Sequence, residues 1–218
     1  MQKLEFLFKR NTEQELSILC LGAHSDDIEI GCGGTLLKLQ EEYESARIMW
    51  VVFASNEERK REALSSAKLF LENTKHKKID ILDFKDGFFP AAWSEIKSKF
   101  EKLKEFSPDI IFTHYREDLH QDHRTINELT WNTFRNHFIL EYEIAKYDGD
   151  LGNTNVFVPL QEQQLLKKNK ILLSCFKSQL DKQWFDESLL MALPRIRGVQ
   201  CASQTKYAES FYNRKLIL

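Results

Sequence analysis

The sequence predicts an α/β fold of the Rossmann-like type, a mainly parallel β-sheet with helices on both faces. Two observations carry this. Strand-like apolar runs alternate with helical patterns of about 10–15 residues through the first two-thirds of the chain, the pattern of right-handed βαβ units. The strongest runs, around 18–22, 48–53 and 109–113, are continuous rather than alternating, as central strands covered on both faces must be. No internal repeat, low-complexity tract or long linker interrupts the 218 residues, so one domain over 1–218 is expected.

In order, Ser17 to Gly22 reads as a buried strand, and the helix after it begins near Thr35. Arg47 to Phe53 is the second strand, followed by a helix from about Glu57 to Leu71. Ile79 to Asp83 is a short third strand, and a helix from Trp93 to Phe106 is ended by Ser107-Pro108. Asp109 to Thr113 is a fourth strand, Asp122 to about Asn136 a helix, and Phe138 to Ile144 a fifth strand. Beyond Tyr147 the pattern weakens. The stretch Tyr147 to Asn153 is polar and contains glycine, hence a loop; Gln161 to Phe176 and Asp186 to Ile196 look helical, with Pro194 awkward near the end of the second. The tail from Tyr207 to Leu218 is a candidate returning strand, and the segment from about 147 to 218 is expected to shape the substrate site.

Composition excludes some functions. A formal net charge of −2 lacks the basic excess of a nucleic-acid-binding domain, and it offers nothing to an anionic membrane surface. No apolar run approaches the roughly 20 residues of a transmembrane helix. The first 16 residues, MQKLEFLFKRNTEQEL, lack the apolar core and small-residue cleavage site of a signal peptide. Four scattered cysteines without a C-x-x-C pair read as reduced thiols, which points to the cytoplasm. An aromatic content of 12% leaves room for a homo-oligomer.

Two clusters carry chemistry. His24 and Asp27 stand three apart just after the first strand, where open parallel sheets bind ligands. An imidazole nitrogen and a carboxylate oxygen are both good zinc ligands, and catalytic zinc takes three protein ligands while keeping a position for water. Asp26, beside a ligand but pointing elsewhere, is free to take a proton from that water. Gly31, Gly33 and Gly34 follow, suited to left-handed turns or to close approach by another group. They do not match G-x-G-x-x-G, and Asp26, Asp27 and Glu29 would repel a phosphate there. The plain alternative is an Asp pair capping the next helix.

The second cluster follows the fourth strand, where His114, His120 and His123 fall within eleven residues. If strands one and four lie side by side at a switch point, the two loops face each other. His123, at the helix start, is then the better third ligand and His120 a neighbouring or catalytic group. Asp122 can orient an imidazole through its N–H, as carboxylates at metal sites do. The alternative is a solvated helix start capped by Asp118 or Asp122.

Together these motifs resemble a known family. Ala23-His24-Ser25-Asp26-Asp27, with Gly31-Cys32-Gly33-Gly34-Thr35-Leu36, resembles the A-H-P-D-D-E…G-G-T-L signature of the PIG-L/LmbE-like deacetylases, and His120-Gln121-Asp122-His123 matches their H-x-D-H. Arg59-x-x-Glu62, Asp83-Phe84-Lys85-Asp86-Gly87, Arg195-Ile196-Arg197-Gly198 and Tyr207-Ala208-Glu209-Ser210-Phe211 are similar to further family motifs, so the likeness runs from about 17 to 212. Ser25 replaces the usual Pro, and Ile28 stands where Glu is common, with Glu29 beside it.

The resemblance implies a Rossmann-like zinc hydrolase that removes acetyl groups from N-acetylglucosamine-type substrates. It implies one Zn2+ per chain held by His24, Asp27 and His123, with Asp26 as general base and His120 as oxyanion stabiliser or acid. Arg59 and Arg197 are candidates to bind sugar hydroxyls or a phosphate, with salt bridges as the plain alternative. Trp93, Trp131 and Trp184 are candidates to stack on a sugar ring, with a place in the core as the plainer reading, and stay outside the site. Two rivals stand beside this reading: a zinc amidohydrolase for another amide, such as a thiol conjugate, and a non-catalytic domain that binds a sugar or nucleotide.

Overall fold

A computed structural model describes residues 15–43 and 45–216. Its elements are β1 (Ser17–Gly22), α1 (Asp27–Glu42), β2 (Arg47–Ala54), α2 (Glu57–Phe70), β3 (His76–Phe84), α3 (Trp93–Leu103), β4 (Ile110–His114), α4 (Gln121–Thr133), β5 (Phe138–Tyr142), β6 (Val156–Leu160), α5 (Glu162–Cys175), α6 (Glu187–Gln200) and β7 (Tyr207–Tyr212). They form a seven-stranded sheet in the order β3-β2-β1-β4-β5-β7-β6. The first five strands are parallel, and β7 runs antiparallel to both β5 and β6. The expected α/β, Rossmann-like sheet is therefore the observed one, and β1 lies against β4 at the switch point.

Each central strand is apolar on both sides, and alternation sorts its residues between two cores. Ile18, Cys20, Ile48, Trp50, Val52, Ile110 and Phe112 face one way, onto Leu36 and Leu37 of α1 and Ala67 and Phe70 of α2. Leu19, Leu21, Met49, Val51, Phe53 and Ile111 face the other, onto Ile96, Phe100 and Leu103 of α3 and Ile126 and Leu129 of α4. The spacing 96, 100, 103 is one helical stripe, which is why α3 packs with a single face.

Two expectations are corrected. The helix after β1 starts at Asp27, not near Thr35, so the three glycines lie inside it. They serve close packing rather than turning: a Cβ on Gly31 would lie 2.3 Å from Tyr142, and one on Gly34 would lie 2.5 Å from Leu160. At this point α1 is fastened from outside. The N–H groups of Gly34 and Thr35 donate to Glu209 at 2.8 and 2.6 Å, and Lys168 donates to the Ile30 carbonyl and pairs with Glu209. The second correction is β6, which the sequence pattern does not announce; it is an edge strand, the place where Pro159 is tolerated. Other boundaries shift by a few residues, and α6 continues through Pro194 to Gln200. The apolar N-terminal patch lies outside the described residues.

Candidate metal centre

The loops after β1 and β4 meet directly. The Ala23 N–H donates to His114 Nε2 at 2.9 Å, joining the end of one strand to the end of the other. The His24 N–H donates to Asp27 Oδ2 at 2.6 Å, folding the turn so that both side chains face the same space. Neither aspartate is a helix cap: Asp26 occupies the N-cap position of α1 but makes no capping bond with its side chain. At α4 the cap is His120, whose Nδ1 accepts from the Asp122 N–H.

His24, Asp27 and His123 are brought together. His24 Nδ1 lies 3.1 Å from His123 Nε2 and 3.5 Å from Asp27 Oδ2. His123 Nε2 lies 3.6 Å from Asp27 Oδ1. A tetrahedral zinc with ligands at 2.0–2.1 Å needs donor atoms about 3.3 Å apart; the two imidazole nitrogens stand at that separation and each has an Asp27 oxygen close to it, so the donor set fits the ion in chemistry. The far ring nitrogens strengthen the fit. His24 Nε2 faces Asp122 at 3.3 Å and Asp86 at 3.1 Å, and His123 Nδ1 faces Asp118 at 2.9 Å. Carboxylates on the outer nitrogens fix each ring and turn the inner nitrogens towards a metal.

All three are buried, as are Asp26 and Asp122. Burial, with His114 stacked on its ring at 3.9 Å, takes His123 down to about 4, so at neutral pH its inner nitrogen keeps a lone pair. Burial opposes ionisation of Asp27, yet the neighbouring His123 and His114 hold its carboxyl well below the usual range. Asp26 goes the other way. Burial lifts it above the ordinary carboxylate value against the pull of Arg59, whose Nη2 lies 2.8 Å from Asp26 Oδ1. Its Oδ2 has no hydrogen-bond partner among the described residues, which leaves a buried oxygen able to receive a proton.

His120 is half-buried at the edge of the cluster, its ring centroid 4.8 Å from that of His24. Asp122 is wholly buried and accepts the N–H groups of Gly87 and Phe89, with Oδ2 also 3.3 Å from His24 Nε2, so its oxygens face the protein. Arg59 reaches the cluster through Asp26. Arg197 does not join it: its guanidinium pairs with Glu143 through both Nε and Nη2 and also donates to Gln200 and the Gly152 carbonyl.

Further groups emerge that the sequence reading did not assign to the site. His114 Nε2 lies 3.2 Å from Asp27 Oδ2, and donor atoms of Asp27, His114 and His123 gather within 4.8 Å of one another, as do those of His24, His120 and His123 and of His24, Asp86 and Asp122. His114 ends a strand at the ligand-binding sheet edge, which is the signal that marks it. Asp86 lies in the Asp83-to-Gly87 motif, and Asp118, by sequence a cap candidate, faces His123 instead.

Residues 19–134, more than half of the 218, match the family described as PIG-L, GlcNAc-PI de-N-acetylase. Solved structures are similar over most of the chain. The N,N'-diacetylchitobiose deacetylase from Pyrococcus horikoshii superposes with a TM-score of 0.69 at 22% identity, covering 91% of this chain and 83% of that one. The 4-carboxy-2-hydroxymuconate hydratase from Pseudomonas putida gives 0.75 at 15% identity, over 93% and 98%. The A40926 pseudoaglycone deacetylase gives 0.68 at 15% identity, over 90% and 96%. A hydratase and two deacetylases share the fold, so the fold alone does not fix the reaction.

Proposed function

Because the chain belongs to the PIG-L family of GlcNAc-PI de-N-acetylases, we propose that it is a zinc-dependent N-deacetylase. Its substrate is the acetamide of an N-acetylated amino sugar or of its conjugate, and its products are acetate and a free amine. The observation that carries this is the convergence of His24, Asp27 and His123: the two imidazole nitrogens lie 3.1 Å apart, each faces a different Asp27 oxygen at 3.5 or 3.6 Å, and a carboxylate stands behind each imidazole. These three residues would hold one Zn2+ per chain, and such an ion would supply acidity to a water, with a pKa lowered towards about 7, and polarisation to the carbonyl.

The chain's own groups do the rest. Asp26 takes the proton of the water that adds to the acetamide carbonyl carbon, through the oxygen that lacks a partner. His120, at the open edge, faces the oxyanion that develops as the C–O bond forms. When the C–N bond breaks, the leaving amine receives a proton from Asp26 or His120. Arg59 is the candidate for a substrate contact at the mouth, whereas Arg197 is committed inside the protein. The whole chain acts as one catalytic unit on a small-molecule sugar substrate, with the segment from about 147 to 218 shaping the acceptor side. No helix among the described residues is long and apolar enough to cross a membrane. The free cysteines suit a reducing compartment such as the cytoplasm.

The test is acetate release from a panel of N-acetylated amino sugars, free, nucleotide-linked and lipid-linked, together with thiol-conjugate amides. We expect turnover on at least one sugar, and a fall in kcat of about 10²–10⁴-fold in Asp26→Asn at unchanged zinc content, the usual worth of a general base. Turnover of the thiol conjugates alone would establish the other amidohydrolase. No turnover, in protein that holds no zinc, would leave the binding domain.

A further inference from the structure

His123 is held by a chain of contacts that begins outside the residues matched by the family. Asp118 is buried, and its two oxygens do different work. Oδ1 accepts the His120 N–H at 2.8 Å, and Oδ2 faces His123 Nδ1 at 2.9 Å. The same Oδ2 lies 3.0 Å from the ammonium of Lys146, whose side chain is only 10% exposed. Lys146 follows β5 and also pairs with Asp150, and more distantly with Asp148 at 3.7 Å. Asp150 Oδ2 in turn accepts the N–H of Leu119, the residue between Asp118 and His120.

We propose that Lys146 is a positioning residue for the metal ligand His123, acting through Asp118. It rests on the zinc reading above. The physical reason is the geometry of a shared oxygen. The His120 N–H holds Oδ1, but without Lys146 the oxygen that faces His123, Oδ2, has only the imidazole itself to fix it. The Lys146 ammonium pins that oxygen from a second direction, and the Asp150 bond to Leu119 pins the backbone on which Asp118 and His120 sit. The ion-pair partners of Lys146 among the described residues are the carboxylates of Asp118, Asp148 and Asp150. The loop after β5, which bears no candidate ligand, thereby becomes part of the metal centre's support. Outer groups of this kind govern metal affinity and ligand orientation rather than the reaction itself.

The experiment measures Zn2+ affinity of the full chain by competition with a chromophoric chelator, and the visible spectrum of the Co2+-loaded protein, in wild type, Lys146→Met and Lys146→Arg. We expect Lys146→Met to bind Zn2+ about 10–100-fold more weakly and to shift the cobalt bands, at unchanged far-ultraviolet circular dichroism, while Lys146→Arg restores affinity to within a few-fold. The double variant Lys146→Met, Asp150→Asn removes an uncompensated carboxylate and carries the same expectation if the single one does not fold. Wild-type affinity and an unshifted cobalt spectrum in Lys146→Met would overturn the positioning role and leave the zinc site standing. A wild-type chain that binds no Zn2+ would overturn both.

Discussion

The candidate ligands and the groups that hold them come from different parts of the chain. His24, Asp27 and His123 lie in two short segments at the ends of β1 and β4, each legible within a dozen residues. The segment from 143 to 212 contributes none of the three, yet it supplies ion pairs that hold the structure: Glu143 with Arg197 within the segment itself, Lys146 with Asp118 across to the loop after β4, and Lys168 with Glu209. The last of these reaches into α1 beyond Asp27 and takes up backbone groups at Ile30, Gly34 and Thr35. The difference teaches that chemistry here is local in sequence while rigidity is long-range. Substitutions in the first region should alter metal and turnover, and those in the second should alter stability or metal affinity.

The sharpest way to break this division is Arg197→Met. Its loss leaves Glu143 buried without a counter-charge, which costs about 3–5 kcal/mol of stability. Urea unfolding followed by tryptophan fluorescence reads the loss, and zinc per folded chain should stay at the wild-type level. A raised KM at unchanged stability would instead return Arg197 to the substrate site. Asp122→Asn sharpens the first region: His24 loses its buried charged acceptor, and zinc affinity should fall about 10–100-fold, near 1.4–2.8 kcal/mol. Unchanged affinity there would mean that Asp86 alone orients His24. The smallest effect is expected at Gly149, which has φ +66° and open space around it. Gly149→Ala should cost about 1 kcal/mol through backbone conformation, at unchanged zinc content, and a larger loss would show that the loop after β5 is packed more tightly than its surroundings indicate.

Strands β1, β2 and β4 are readable because doubly covered strands are apolar throughout, while the neighbourhood of β1 and β4 rests on the switch-point order common in such sheets. The start of α1 is not readable, because three glycines read locally as a loop; only Tyr142, Phe70 and Leu160, distant in sequence, show that they are there to let neighbours in. Strand β6 escaped for a different reason: Val156 to Leu160 is apolar, but Pro159 within so short a run argues against a strand anywhere except at a sheet edge, which only the fold reveals. Within the site, the ligand candidates announce themselves through residue type and spacing. His114 has only its position as a signal, the last residue of β4 at the ligand-binding sheet edge, and no motif spacing ties it to His24 or Asp27. Lys146 has no local signal at all, because its role exists only once β5 lies beside β4.

Zinc stoichiometry of the purified chain, measured by elemental mass spectrometry beside His123→Ala, tests the central claim most directly. One Zn2+ per wild-type chain, and close to none in the variant at preserved secondary structure, is the predicted result. Equal zinc in both proteins, or none in the wild type, would contradict it.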